Sequence, residues 1–142
     1  MTFICANLDQ KTQKALKEYA IGIGINESKF NSDLHATIVY SEEELGLTHG
    51  TNPLSGTMKP VGLKYLGALG SKWRAIVVEV QSDVLQERYN YYLSKGYKPR
   101  FPNYLQHISL AYEPDELDLS TIKLPDFDLT ICSETIKKSV IN

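Results

Sequence analysis

The chain has 142 residues, 42% of them hydrophobic and 23% charged, the balance of an ordinary globular domain with material for one core. Fifteen basic and 17 acidic residues leave a net charge of −2, which argues against long nucleic acid as a partner, since that needs a basic face. A small anionic ligand in a local pocket remains compatible with it.

In chain order, "TFICA" reads as a strand, and "LDQKTQKALKEYAIGIGI" then changes to helical spacing. Leu8, Thr12, Leu16, Tyr19 and Ile23 share a face there, Asp9 is placed to cap it, and Gly22 and Gly24 end it. "NESKFNSD" is a polar loop and "LHATIVYS" a strand. "EEELGLTHGTNPLSG" is expected to form one short helical turn and then a loop. "TMKPVGLKYLGALG" and "KWRAIVVEVQ" read as a hairpin turning near Gly70 and Ser71. In its second strand Ile76, Val78 and Val80 make an apolar face, while Trp73, Ala75, Val77 and Glu79 make a mixed one.

"SDVLQERYNYYLSKG" is the clearest helix, with Asp83 and Gln86 in the pattern of a capping box and Gly96 as its stop. A Pro-broken loop leads to the strand "LQHISLAY". A turn-rich segment follows, and "LTICSETIKKSVI" closes the chain as one or two strands. Two isolated cysteines, Cys5 and Cys132, make no CxxC pair and no disulfide framework. No apolar run is long enough to span a bilayer, and the N-terminus lacks the pattern of a signal peptide. A cytoplasmic protein with no membrane contact, and no protein partner that the chemistry demands, is expected.

Within this order one hexamer is written twice: "HATIVY" from His35 and "HISLAY" from His107, 72 positions on (107 − 35 = 72). Each follows a helix and a polar or Pro-rich loop, which reads as an internal duplication. The whole chain, 1–142, is expected to be one α+β domain of two lobes with antiparallel sheets, their repeated strands at about 33–41 and 105–112. On a strand, alternate residues share a face about 6.5–7 Å apart. His35 and Thr37 therefore point one way, and so do His107 and Ser109. Tyr40 and Tyr112 are expected on the opposite, core-facing side.

Two imidazoles and two hydroxyls around one cleft form a chemical kit for phosphate esters. A histidine has an ordinary pKa of about 6.5 and can take or give a proton near neutrality. Two of them can divide base and acid roles, and hydroxyls can donate to phosphate oxygens. A lone histidine on a strand is usually structural or exposed, and His49 is read that way. A zinc site from Cys5, His35, His107 and Cys132 is the alternative, disfavoured because no close ligand pair such as CxxC or HxxxH is present.

The paired His35-Ala36-Thr37 and His107-Ile108-Ser109 motifs, each flanked by apolar residues, resemble the signature of the 2H phosphoesterase superfamily. In size and compactness the chain looks most like the phage anti-CBASS cyclic-oligonucleotide phosphodiesterases. The resemblance implies a bilobal, pseudo-two-fold fold around a central cleft, with His35, Thr37, His107 and Ser109 catalytic. It implies phosphodiester cleavage by 2′-OH attack, with no metal and no cofactor, on a cyclic di- or trinucleotide messenger of bacterial antiviral signalling. The expected substrate is thus a cyclic oligonucleotide, or a small RNA end if the chain is instead an RNA 2′,3′-cyclic phosphodiesterase. A nucleotide-binding sponge that does not cleave is the non-enzymatic alternative. Phe3 and Trp73 are candidate stacking surfaces for bases and Glu134 a candidate acceptor from a base edge. Core packing competes for the first two, and a solvated surface role for the third. Lys72, Arg74, Lys98 and Arg100 are possible phosphate-steering charges.

Overall fold

The structure is a computed structural model that describes residues 1–100 and 103–138. Six strands and two helices follow in the order β1 (Thr2–Leu8), α1 (Gln10–Gly22), β2 (His35–Ser41), β3 (Gly50–Leu66), β4 (Ala75–Gln81), α2 (Asp83–Ser94), β5 (His107–Tyr112) and β6 (Leu129–Lys138). All strand pairs are antiparallel, in the order β1-β2-β5-β4-β3-β6, and β6 also pairs with β1, so the ring closes.

The duplication is visible in the elements. β1–α1–β2 and β4–α2–β5 are equivalent runs, and the offset of 72 holds beyond the hexamers. Gly24 and Gly96 (96 − 24 = 72) follow the two helices, both with φ in the left-handed region, +99° and +104°, that only glycine adopts without strain. Each half is a three-stranded unit, β6-β1-β2 or β3-β4-β5, so the last strand of the chain completes the first lobe. β2 and β5 meet at the seam through the pair Ala36 and Ile108.

The apolar face of the sheet carries Ile4, Ala6, Ala36, Ile38, Ile76, Val78, Ile108, Leu110 and Ile131, all buried in one cluster with Leu16 and Ala20 of α1 and Leu85, Tyr89 and Tyr92 of α2. α1 packs against β5, while α2 packs against β2 and β3. Each helix thus backs the repeated strand of the other half. Gly56 on β3 lets α2 approach closely, because a Cβ there would run into Val84.

Three expectations are corrected. The segment read as a helical turn and loop before Thr57 contributes instead the first half of β3, with Gly50–Leu66 forming one 17-residue strand. Pairing with β6 holds that half, from Gly50 opposite Ile136 to Met58 opposite Leu129, despite its Gly, Pro and polar content. The cap of α2 is Ser82, whose hydroxyl accepts from the Leu85 amide at 3.3 Å; Asp83 is the first helical residue. Trp73 lies outside β4, on the turn after Gly67. Asp9 caps α1 as expected, accepting from the Thr12 amide at 2.7 Å.

Candidate active site

With Ala36 opposite Ile108 in an antiparallel pair, a local two-fold axis through that pair carries His35 onto His107 and Thr37 onto Ser109. Their side chains share the face opposite the core. All four are half-buried, between the fully buried Ala36 and Ile38 on one strand and Ile108 and Leu110 on the other. The structure therefore brings His35, Thr37, His107 and Ser109 together at the seam between the lobes.

Both imidazoles are tethered in the same way. His35 Nδ1 lies 2.9 Å from the carbonyl oxygen of Asp33, and His107 Nδ1 lies 2.9 Å from that of Leu105. A carbonyl can only accept, so each Nδ1 carries its hydrogen and each Nε2 is left free for the cleft. The backbones of the hydroxyl residues are held too. The Tyr104 hydroxyl donates to the Thr37 carbonyl at 2.7 Å, and the Asn31 amide group donates to the Ser109 carbonyl at 3.1 Å. The loops before the two strands thus buttress equivalent positions.

Each repeated strand carries a β-bulge three residues after its histidine. Ile4 faces Val39 and Cys5 faces Thr37, leaving Ile38 unpaired; Ile76 faces Ala111 and Val77 faces Ser109, leaving Leu110 unpaired. A bulge reverses the alternation beyond it. This corrects the expectation for the terminal tyrosines, since Tyr40 is 51% and Tyr112 40% exposed. Tyr40 turns to the face of Phe3, whose ring is edge-on to both Tyr40 (6.4 Å) and His35 (5.6 Å). A cavity of about 640 Å³ opens beside the seam, lined by Thr37, His107, Tyr40, Tyr97, Tyr104 and Leu66 among others.

The surroundings of the two histidines differ. His35 faces Asn7, whose amide donates to the hydroxyls of Ser133 (2.9 Å) and Thr135 (2.7 Å) in a neutral network. The Asp33 carboxylate lies 3.6 Å from His35 Nδ1. His107 faces Glu79, which pairs with Lys64 at 3.6 Å. The His107 pKa is lowered, first by burial, with Lys64 and His35 adding to the effect and the Leu105 carbonyl and Glu79 opposing it. Cys5 shares the face of Thr37, but burial pushes its thiol up to about 11, leaving it a protonated bystander.

Phe3 is at the site. Trp73 is 69% exposed on the β3–β4 turn, roughly 20 Å along the strand direction from Glu79 at about 3.3 Å per residue, with Lys72 Nζ 5.0 Å from its ring. Glu134 is not available to a ligand. It lies on the core face, 2% exposed, with its oxygens taken by Arg88 (2.8 and 2.9 Å) and the Tyr92 hydroxyl (2.7 Å). Of the expected steering charges, Arg74 is bound to Glu116 and to the Gly67 carbonyl, and Arg100 pairs with Glu42 at 2.7 Å. Among the described residues, no three His, Cys, Asp or Glu side chains gather as metal ligands. Among the described residues, no helix is long and apolar enough to cross a membrane.

A duplicated strand that presents two tethered histidines and two hydroxyls at the seam of two lobes has the arrangement of the 2H phosphoesterase fold. The fold agrees with that class: Escherichia coli LigT, solved in complex with 3′-AMP, superposes with a TM-score of 0.52 at 16% identity, over 95% of this chain and 84% of that one. The model of one family, described as anti-CBASS protein Acb1, matches residues 1–139. The anti-CBASS protein Acb1 of Escherichia phage RB16 is 34% identical over 137 residues, 93% of this chain and 76% of that protein. The chain belongs to the anti-CBASS protein Acb1 family.

Proposed function

We propose that the protein linearises cyclic di- or trinucleotide messengers at a 3′–5′ linkage, using the messenger's own ribose 2′-OH as nucleophile. The observation that carries this reading is the pair of Nδ1-tethered histidines, each two residues from a hydroxyl on one face of the seam. One Nε2 removes the 2′-OH proton, the O2′–P bond forms, and the P–O5′ bond breaks. The other Nε2 delivers a proton to the departing O5′, so the products are a 2′,3′-cyclic phosphate end and a 5′-OH. Thr37 and Ser109 donate to the non-bridging oxygens. Two imidazoles account for both proton transfers, and the scheme calls on no metal or cofactor.

The asymmetry of the surroundings supports a division of labour. His107, whose pKa burial lowers, suits the base. His35, with the Asp33 carboxylate 3.6 Å from its Nδ1, suits the acid. Phe3 beside His35 serves as a stacking surface for a base, whereas Trp73, on the turn outside β4, stands too far from the two histidines to share that role. Stacking on an aromatic contributes about 1–3 kcal/mol per base. The site of action is the host cytoplasm, where such messengers are made, with no membrane or protein partner needed for the chemistry.

The test is incubation of the pure protein with a panel of 3′,3′-linked cyclic di- and trinucleotides, with and without EDTA. Linear products in both arms are expected. Ligand recovered intact after denaturation would mean a sponge, cleavage only of 2′,3′-cyclic ends on linear RNA would mean an RNA-end enzyme, and loss of cleavage in EDTA would sink the metal-free scheme.

A further inference from the structure

The four residues of the duplicated motif bring hydroxyls and imidazoles to the phosphate but no permanent positive charge. A phosphodiester arrives with one negative charge and gains more in the transition state, so a fixed cation close by would be worth a great deal there. The pseudo-symmetry shows where the molecule departs from its own repeat. β1 corresponds to β4 and β6 to β3. In the first lobe Cys5 is flanked on β6 by Thr135, and Asn7 by Ser133. In the second lobe Val77 is flanked on β3 by Lys64, and Glu79 by Gly62. The neutral amide and hydroxyls of one half are replaced in the other by a lysine and a carboxylate.

Cross-strand partners point to the same face, so two rows run across the second lobe: Ser109, Val77, Lys64 and His107, Glu79, Gly62. Lys64 therefore stands on the face of both His107 and Ser109, two strand spacings from Ser109, or roughly 10 Å at the backbone. Its charge already acts on His107. The Glu79 carboxylate lies over the bare backbone of Gly62, where a Cβ would come within 3.1 Å of Oε1. That leaves it within reach of Lys64. The pair is 3.6 Å apart, with the partners 40% and 30% exposed, the geometry of a weak and exchangeable contact. Three arginines are tied elsewhere: Arg74 to Glu116, Arg88 to Glu134 and Arg100 to Glu42.

We propose that Lys64 is a phosphate-contacting residue, parked on Glu79 in the free protein and transferred to a non-bridging oxygen of the scissile phosphate when that phosphate settles on His107 and Ser109. The proposal rests on the phosphodiesterase reading for its substrate. It also departs from the two-fold symmetry of the site, because the position equivalent to Lys64 in the first lobe holds Thr135. A pseudo-symmetric ligand then places its scissile phosphate in one orientation. The charged and titratable groups facing His107 are Glu79 on β4, Lys64 on β3, His35 on β2 and Tyr104 from the preceding loop, with Arg100 of the same cavity held by Glu42.

The experiment uses the full chain and two probes. Inorganic phosphate is titrated in while the His107 ring signals are followed by NMR, and kcat/KM is measured on a cyclic dinucleotide. Lys64→Gln is expected to weaken phosphate at least tenfold and to lower kcat/KM about 10–100-fold, the scale of a charge-assisted hydrogen bond. Lys64→Arg should restore most of both. Glu79→Gln, which frees Lys64, should tighten phosphate. The His107 titration should move up in Lys64→Gln and down in Glu79→Gln, since the two charges act on it with opposite sign, while the opposite effects on phosphate binding are what a merely structural ion pair would not give. Lys17→Gln, on the outer side of α1, controls for loss of one charge and should change neither readout. Unchanged phosphate binding in Lys64→Gln, or equal weakening in Lys64→Gln and Glu79→Gln, would overturn the proposal. If the wild type cleaves no cyclic nucleotide, the substrate reading fails, and the phosphate arm still decides the role of Lys64.

Discussion

The chemistry turns on which nitrogen of each histidine is free. A side-chain bond to the carbonyl two residues back fixes the tautomer at both sites, and burial lowers the pKa of His107. Its NMR titration midpoint is predicted below the ordinary 6.5, and with His107 as base the acidic limb of kcat/KM should fall there too. A midpoint at or above 6.5 would contradict the assignment of the base. Strand alternation alone was enough to place His35, Thr37, His107 and Ser109 on one face. The same rule failed for Tyr40 and Tyr112, because the unpaired Ile38 and Leu110 reverse parity beyond the motif. A bulge is a property of the pairing and leaves no mark in a run such as "TIVY". Lys64 stood on a predicted strand, but its nearness to His107 depends on β3 and β5 lying either side of β4, an order that sequence proximity does not reveal.

Among the elements, those with end signals were the readable ones. Asp9, Gly24 and Gly96 mark helix boundaries through local hydrogen bonds and backbone preference, which sequence carries directly. Ser82 was passed over for Asp83 because either can cap and only the turn geometry decides. It also donates to the Thr57 carbonyl at 2.9 Å and so ties the start of α2 to β3. Ser82→Ala is predicted to cost about 0.5–2 kcal/mol, read by urea denaturation, because the Leu85 amide and the Thr57 carbonyl both lose a buried partner. An unchanged midpoint would show that the cap is dispensable. The first half of β3 was unreadable for a different reason. "GTNPLSG" has no strand pattern of its own and is extended only because β6, some 80 residues later, supplies its partner.

At the scale of the whole molecule, the two halves are fastened across their boundary. α2 follows β4 in the second half, yet its Arg88 clasps Glu134 on β6 of the first lobe through two bonds, with Tyr92 adding a third. In "CSET" Glu134 reads as an acceptor for a base edge or as a solvated charge, because a single acidic residue between polar neighbours is usually exposed. Only the position of α2 makes it a buried anchor. Arg88→Ala is predicted to destabilise the fold by about 3–5 kcal/mol, toward the lower end since the guanidinium is 29% exposed, because the 2% exposed carboxylate would be left without its charge partner. A loss below 1 kcal/mol in chemical denaturation would show that the clasp contributes little.

The closure of the ring by β3 and β6 also explains why one chain of this size is sufficient for a two-part site. The repeated strands meet at Ala36 and Ile108, and the rest of the molecule holds that seam in place. The central claim is that the two copies are halves of one active site. It is tested most directly by incubating the wild type, His35→Ala and His107→Ala with a 3′,3′-linked cyclic dinucleotide and resolving the products by chromatography and mass spectrometry. Cleavage to a linear product by the wild type, and a loss of about 10²–10⁴-fold in each single variant with the fold intact, is the predicted result. Near-wild-type turnover in either variant would contradict it.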